Sequence, residues 1–192
     1  ASAERSLRNL HTDVRDLLLI HRPDPLLDAD EAAGALAALR SSGKIRHAGV
    51  SNFTPRQFDL LQSRLDFPLV TNQIELSVLH LDPLHACLID PLQQLRVPPM
   101  AWSPVAGGRL FDPANERARR VRTTLESIGD TVGASVDQVA LAWLLRHPAR
   151  VLPVMGTGKI ERLREAAAAE SVTLDQQQWF MIWEASAGRE VP

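Results

Sequence analysis

The sequence predicts an α/β protein built on a parallel sheet with right-handed crossovers, and three observations predict it. Short apolar runs alternate with helix-period segments along the whole chain. The helical segments are bracketed by cap and stop residues. Each apolar run ends in polar groups, and a parallel sheet gathers such ends on one face. No linker or low-complexity stretch divides the chain, so residues 1–192 read as a single domain.

The elements follow in order. The opening ASAERSLRNLH has the pattern of a polar amphipathic helix. DLLLI (16–20) is the first strand, where Leu17 to Ile20 suit a strand covered on both faces. Pro23 and Pro25 then turn the chain away just after His21. Asp28 is a good N-cap for ADEAAGALAALRSSG, and Gly43 is its stop. IRHAGV (45–50) is a second strand; Thr54 and Pro55 supply the cap and first-turn proline of RQFDLLQSRL. PLVTNQIEL (68–76) is a third strand, followed by a helix over 91–96. MAW (100–102) is a short fourth, leading through SPVAGGRLFDPAN into helices over 116–133 and 135–148. VLPVM (151–155) is the fifth; GTGK, the helix IERLREAAAAE and the closing helix LDQQQWFMIWEAS complete the chain.

Pattern alone leaves two architectures, an open doubly wound sheet or part of a (β/α)8 barrel, and the strand count suits the open sheet. The strand ends argue the other way. They carry His21; Ser51 and Asn52; Asn72, Gln73 and Glu75; Trp102 and Ser103; and the loop Gly156 to Gly158. An open sheet uses mainly its switch point, whereas every strand end of a barrel can face one pocket, so these loaded ends favour the barrel.

Composition narrows the function. A hydrophobic content of 45% over 192 residues supports a real core. A formal charge of −2, with no basic stripe among aromatics, does not indicate nucleic acid as a partner. The single cysteine, Cys87, excludes an internal disulfide framework and suits a reducing, cytoplasmic setting; it reads as a small buried hydrophobe. No run is long enough to span a bilayer and none resembles a signal peptide, so no membrane role is expected. His80, His85 and Cys87 match no standard zinc spacing, and no metal is expected.

Each polar group has a plain reading beside a functional one. His21 is either a hydrogen-bonded structural ring or a titratable group facing a ligand. Ser51 and Asn52 either shape the turn before the Thr54 cap or bind something. Gln73 is a buried amide that must enter a network or reach a polar ligand. Trp102 is core filling or a surface on which a flat heterocycle stacks. Gly156 and Gly158 bare the backbone N–H groups at a helix start beside Lys159 and Arg162, which suits an anion; the alternative is a tight turn. This is no P-loop, because Pro153 stands at the required upstream glycine and Ile160 at the required Ser or Thr. AGGRL (106–110) is a flexible loop, passing over a phosphate bridge or merely flexible.

Taken together, LLLIHRPDP, GKIRHAGVSNF, TNQIELS, AWSPVAGGRL and GTGKIERLREA, in this order and spacing, resemble the aldo-keto reductases, close to their bacterial oxidoreductase members. The resemblance runs the length of the chain. It implies a (β/α)8 barrel that uses NADPH without a Rossmann domain and reduces aldehydes and ketones by hydride transfer. In this chain it implies an incomplete barrel, about strands 4 to 8 with their helices. Carried over by position, His21 is the active-site histidine that orients the substrate carbonyl. Ser51, Asn52 and Gln73 hold the nicotinamide carboxamide, and Trp102 stacks on the nicotinamide ring, where many members have tyrosine. Ser103, Val105 and Gly107 cover the pyrophosphate. Gly156, Gly158, Lys159, Arg162 and Glu165 form the adenosine 2′-phosphate and adenine region, where Lys159 and Arg162 favour NADPH by charge. Ala166 stands where an asparagine is common.

The resemblance also implies three earlier strands with an aspartate, a tyrosine general acid and a lysine, and this sequence contains no tyrosine at all. A proton donor of that kind contributes about 10²–10⁴-fold, so the chain by itself is expected to be a poor catalyst. Two unpaired strand edges are expected where a closed barrel has none. The leading expectation is an NADPH-dependent oxidoreductase acting on a small carbonyl substrate. The alternative is a non-catalytic NADP(H)-binding or redox-sensing module.

Overall fold

Helix α1 (Ser2–Asn9) opens a computed structural model that describes residues 2–190. Ala1, Val191 and Pro192, which the single-domain reading includes, lie outside the described residues. Packing divides the chain into two compact units that meet in sequence at Gln73 and Ile74.

In the first unit β1 (Arg15–Ile20), α2 (Ala29–Ser41), β2 (Ile45–Ser51), α3 (Pro55–Gln62) and β3 (Leu69–Glu75) follow the expected alternation, the last two residues of β3 belonging to the second unit. The strands pair in parallel, Ile20 opposite Val50 and Val50 opposite Asn72, with a register shift between Ala48 and Val50. Local chemistry sets the helix starts. The Asp28 carboxylate accepts from the backbone N–H of Asp30 (2.8 Å) and Glu31 (3.1 Å), and Thr54 and Gln57 form a reciprocal capping box. Gly43, at φ +70°, follows the end of α2 as expected. Gly49 has a different reason to be glycine. A Cβ there would lie 2.7 Å from the Leu19 side chain and 2.9 Å from the Thr71 carbonyl oxygen, so β2 passes close between its neighbours.

One expectation fails in this unit. Leu17 to Ile20 are half-buried rather than covered on both faces, and among the described residues β1 pairs on one side only, with β2.

The second unit comprises α4 (Asp82–His85), α5 (Ile89–Gln94), β4 (Met100–Trp102), α6 (Glu116–Val132), α7 (Val136–Leu145), β5 (Leu152–Pro153), α8 (Ile160–Ala168) and α9 (Gln176–Ala187). Strands β4 and β5 are parallel, Met100 opposite Leu152 and Ala101 opposite Pro153. β5 is shorter than the expected 151–155; its ladder rests on Leu152 N–H to the Pro99 carbonyl (2.9 Å) and Val154 N–H to the Ala101 carbonyl (2.8 Å). Helix α6 packs on α7 and α9 through Val121, Leu125, Ile128, Val139, Leu144 and Ile182, all buried. Trp143 and Trp179 stack at 4.8 Å, and each indole N–H donates to the other residue's backbone carbonyl, at 3.1 and 3.0 Å. This reciprocal pairing satisfies two indole donors within an apolar core.

Two further expectations fail here. Cys87 is exposed, at φ +51°, because it lies in the bend between α4 and α5 instead of on a packed face. AGGRL is no slack loop: Ala106–Gly108 is a 3₁₀ turn in which Ala106 N–H donates to the Ser103 carbonyl (2.8 Å) and Gly108 N–H to the Val105 carbonyl (3.1 Å). Ala106 is fully buried. Among the described residues no helix is long and apolar enough to cross a membrane.

Candidate functional site

In the first unit the register builds a row. Ile20, Val50 and Asn72 are opposite one another, and the next residues along are His21, just past β1, Ser51, the last residue of β2, and its partner Gln73, two residues before the end of β3. His21 is exposed. The Gln73 backbone carbonyl holds the middle of this row, accepting from Ser51 Oγ (2.9 Å) and from the Asn52 N–H (2.8 Å). Asn52 sits at φ +59°, which asparagine tolerates, and its Nδ2 donates to Ser51 Oγ (3.1 Å).

The structure corrects the reading of Gln73 as a buried amide. It is half-buried, and its side chain makes no hydrogen bond with the described residues. The networked amide is Asn72, 2% exposed, whose Oδ1 accepts from Phe53 N–H (3.3 Å) while Nδ2 donates to the Phe53 carbonyl (2.7 Å). Asn72 therefore clamps the turn after β2, and its side chain is occupied by the fold.

In the second unit a cavity of about 670 Å³ opens between the loop after β4, the first turn of α7 and the segment joining β5 to α8. Of the expected residues, Ser103, Val105, Gly107, Gly156, Arg162 and Glu165 line it. Trp102, Gly158 and Lys159 do not line it themselves; each is within two residues of a lining residue, next to Ser103 or following Thr157. Trp102 is half-buried. One wall is set by an unusual backbone: Ser103, Ala106, Gly107 and Gly108 all have positive φ, at 51°, 56°, 61° and 88°. The opposite wall carries Gly156 and, just beyond, Gly158, where an added Cβ would meet nothing within 4 Å. Lys159 caps α8 without a side-chain hydrogen bond, and its N–H donates to Thr157 Oγ1 (3.2 Å). The positive end of the α8 dipole and the cations Lys159 and Arg162 thus lie on one side of the opening.

Sequence reasoning missed Asp137, Phe111 and Thr157, which also line the cavity. Asp137 reads as an ordinary first-turn acid of α7, and nothing local links position 137 to position 162. Among the described residues no group of three or more histidine, cysteine, aspartate or glutamate side chains is placed to hold a metal ion.

With this geometry in hand, comparison with known proteins is informative. The chain is 55% identical over 192 residues to the oxidoreductase YdhF of Escherichia coli (strain K12), covering 100% of this chain and 64% of that protein. It is 51% identical over 190 residues to a 6-dehydroglucose reductase of Agrobacterium fabrum, covering 99% of this chain and 63% of the relative. The chain therefore spans somewhat less than two thirds of the length of the curated relatives it matches. A crystal structure of the thermostable aldo-keto reductase Tm1743 with the inhibitor epalrestat superposes with a TM-score of 0.86 at 32% identity, over 96% of this chain and 64% of that one. An aldo/keto reductase from Klebsiella pneumoniae, crystallised with NADP and acetate, gives 0.79 at 29% identity, over 94% and 62%. These neighbours and the parallel strand–helix pairing within each unit make the fold class that of an incomplete (β/α)8 barrel of aldo-keto reductase type. The model of the Aldo/keto reductase family matches residues 1–187, and the chain belongs to that family.

Proposed function

We propose that this chain serves the NADP(H)-dependent reduction of an aldehyde or ketone carbonyl to an alcohol. The observation that carries the reading is the pair Gly156 and Gly158. Neither has a positive φ and neither has a neighbour that a Cβ would strike, so nothing in the chain itself requires glycine there. A ligand approaching open backbone N–H groups at a helix start does require it. The cavity volume falls within the range of small-molecule and cofactor pockets.

On this reading Lys159 and Arg162, with Gly156 and Gly158, hold the adenosine 2′-phosphate, and Glu165 meets the adenine. Ser103, Val105 and Gly107 hold the pyrophosphate, Trp102 offers a face to the nicotinamide, and Ser51, Asn52 and Gln73 hold its carboxamide. When bound, NADPH supplies the hydride equivalent for the carbonyl carbon. His21 donates a hydrogen bond to the carbonyl oxygen and orients it. The Gln73 carbonyl fixes Ser51 and Asn52, leaving the unpaired Gln73 amide for the ligand.

The test begins with binding. Titration of the chain with NADP⁺ and NAD⁺ by calorimetry should show tighter NADP⁺ binding, and Arg162→Ala should weaken NADP⁺ by about tenfold or more with little effect on NAD⁺. Absence of NADP⁺ binding sinks the proposal. NADPH oxidation is then followed with a carbonyl panel headed by 6-dehydroglucose, chosen from the name of the Agrobacterium relative. His21→Ala should depress turnover more than nucleotide affinity; equal loss in both removes its assigned role. Tight binding without oxidation favours the second reading, a non-catalytic NADP(H)-binding module.

A further inference from the structure

We propose that Asp137 reads the exocyclic amine of the adenine, a base-selecting role that rests on the cofactor reading above. Asp137 lies in the first turn of α7 and lines the same cavity as Arg162 and Glu165. Its Oδ1 accepts a hydrogen bond from Ser135 Oγ at 2.6 Å, which orients the carboxylate and leaves Oδ2 without a partner among the described residues. The adjacent Gln138 donates from Nε2 to the Glu165 backbone carbonyl at 3.1 Å, tying this turn of α7 to α8 at Glu165.

Charge then decides what Asp137 faces. A carboxylate beside the phosphates of a dinucleotide would be repelled, so an acid that lines such a pocket faces a hydrogen-bond donor on the ligand. Arg162 and Glu165 are three residues apart on one face of α8, and Glu165 lies about 4.5 Å further along the axis from the positive helix start. Glu165 thus marks the end of the cavity away from the anion-binding helix terminus, and the Gln138 contact ties the first turn of α7 to that end. An adenine amine offers two N–H donors, and Glu165 and Asp137 bring acceptors to it from two different helices. Helix capping does not explain the arrangement, because the Ser135 backbone N–H is capped by Gln138 Oε1 at 3.0 Å and the Asp137 carboxylate takes no part in it.

The experiment uses two probes, adenosine 2′,5′-bisphosphate and inosine 2′,5′-bisphosphate, titrated calorimetrically into the 192-residue chain. Hypoxanthine replaces the amine donor with a carbonyl acceptor. The unaltered protein should prefer the adenine probe by about ten- to a hundredfold, as expected for loss of a charge-assisted hydrogen bond. Asp137→Asn, which can donate to the hypoxanthine carbonyl, should bring the two probes to parity or reverse the preference, with hypoxanthine affinity preserved. Equal affinity of the unaltered chain for both probes overturns the proposal without any variant. Equal weakening of both probes by Asp137→Asn overturns it in favour of a structural role. Binding of neither probe by the unaltered chain overturns the cofactor reading itself, which separates the two failures.

Discussion

At residue scale the glycines divide into two kinds, and the division is testable. Gly49 is enclosed, with the Leu19 side chain and the Thr71 backbone inside 3 Å of a built Cβ. Gly49→Ala should therefore destabilise by about 1–3 kcal/mol through overpacking, read as a lowered urea midpoint. Gly156→Ala meets open space and should leave the urea midpoint unchanged or raise it by less than about 1 kcal/mol, while weakening NADP⁺ binding. A Gly156→Ala chain that unfolds more easily and binds normally would reverse the assignment. Asn72→Leu strips both partners from the Phe53 backbone and should cost about 1–3 kcal/mol, again by urea titration. These residue identities were legible in the sequence, but the use of each was not. Asn72 and Gln73 are neighbours of similar chemistry, and only the pairing of β2 with β3 shows which amide the fold consumes and which it leaves open.

At the scale of elements, helix starts were legible because their chemistry is local. Asp28, Thr54 with Gln57, and Ser135 with Gln138 each act within one turn of their own helix. Strand extent was less legible, because β5 depends on Pro99 and Ala101, about fifty residues upstream. Asp137 escaped for the same reason, its significance resting on α8. The end of α7 supports a pH prediction. Burial holds the His147 ring below its ordinary value of 6.5, partly opposed by Asp90, and its Nδ1 accepts from the Ala149 N–H at 3.2 Å. Between the lowered value and 6.5 the unfolded chain carries more proton on this ring than the folded one. Stability is thus full above 6.5 and declines as pH falls through that window. Urea midpoints measured across the window should fall with acid, and His147→Asn, which keeps an acceptor near the Nδ1 position, should flatten the slope. An unchanged slope in the variant would place the acid sensitivity elsewhere.

For the molecule as a whole, ligand linkage gives the clearest expectation. NADP⁺ at about a hundredfold its Kd should raise the thermal midpoint by roughly 5–10 °C, and NAD⁺ at the same concentration by less. Equal shifts would remove the role assigned to Lys159 and Arg162. The fold class was legible because five short apolar runs, each ending in polar groups, recur with helices between them. Barrel or open sheet was not decided by periodicity, since both architectures repeat the same strand–helix unit. Of the four tryptophans, Trp143, Trp179 and Trp183 form one stack on α7 and α9, with successive ring centroids 4.8 and 5.6 Å apart, while Trp102 ends strand β4. Rings so close share their electronic excitation, so the near-ultraviolet dichroism of this chain should carry an exciton signature from the trio alone. Exchange of Trp102 for phenylalanine would leave that optical mark in place, giving the packed helices their own colourless reporter during any titration at the strand tips.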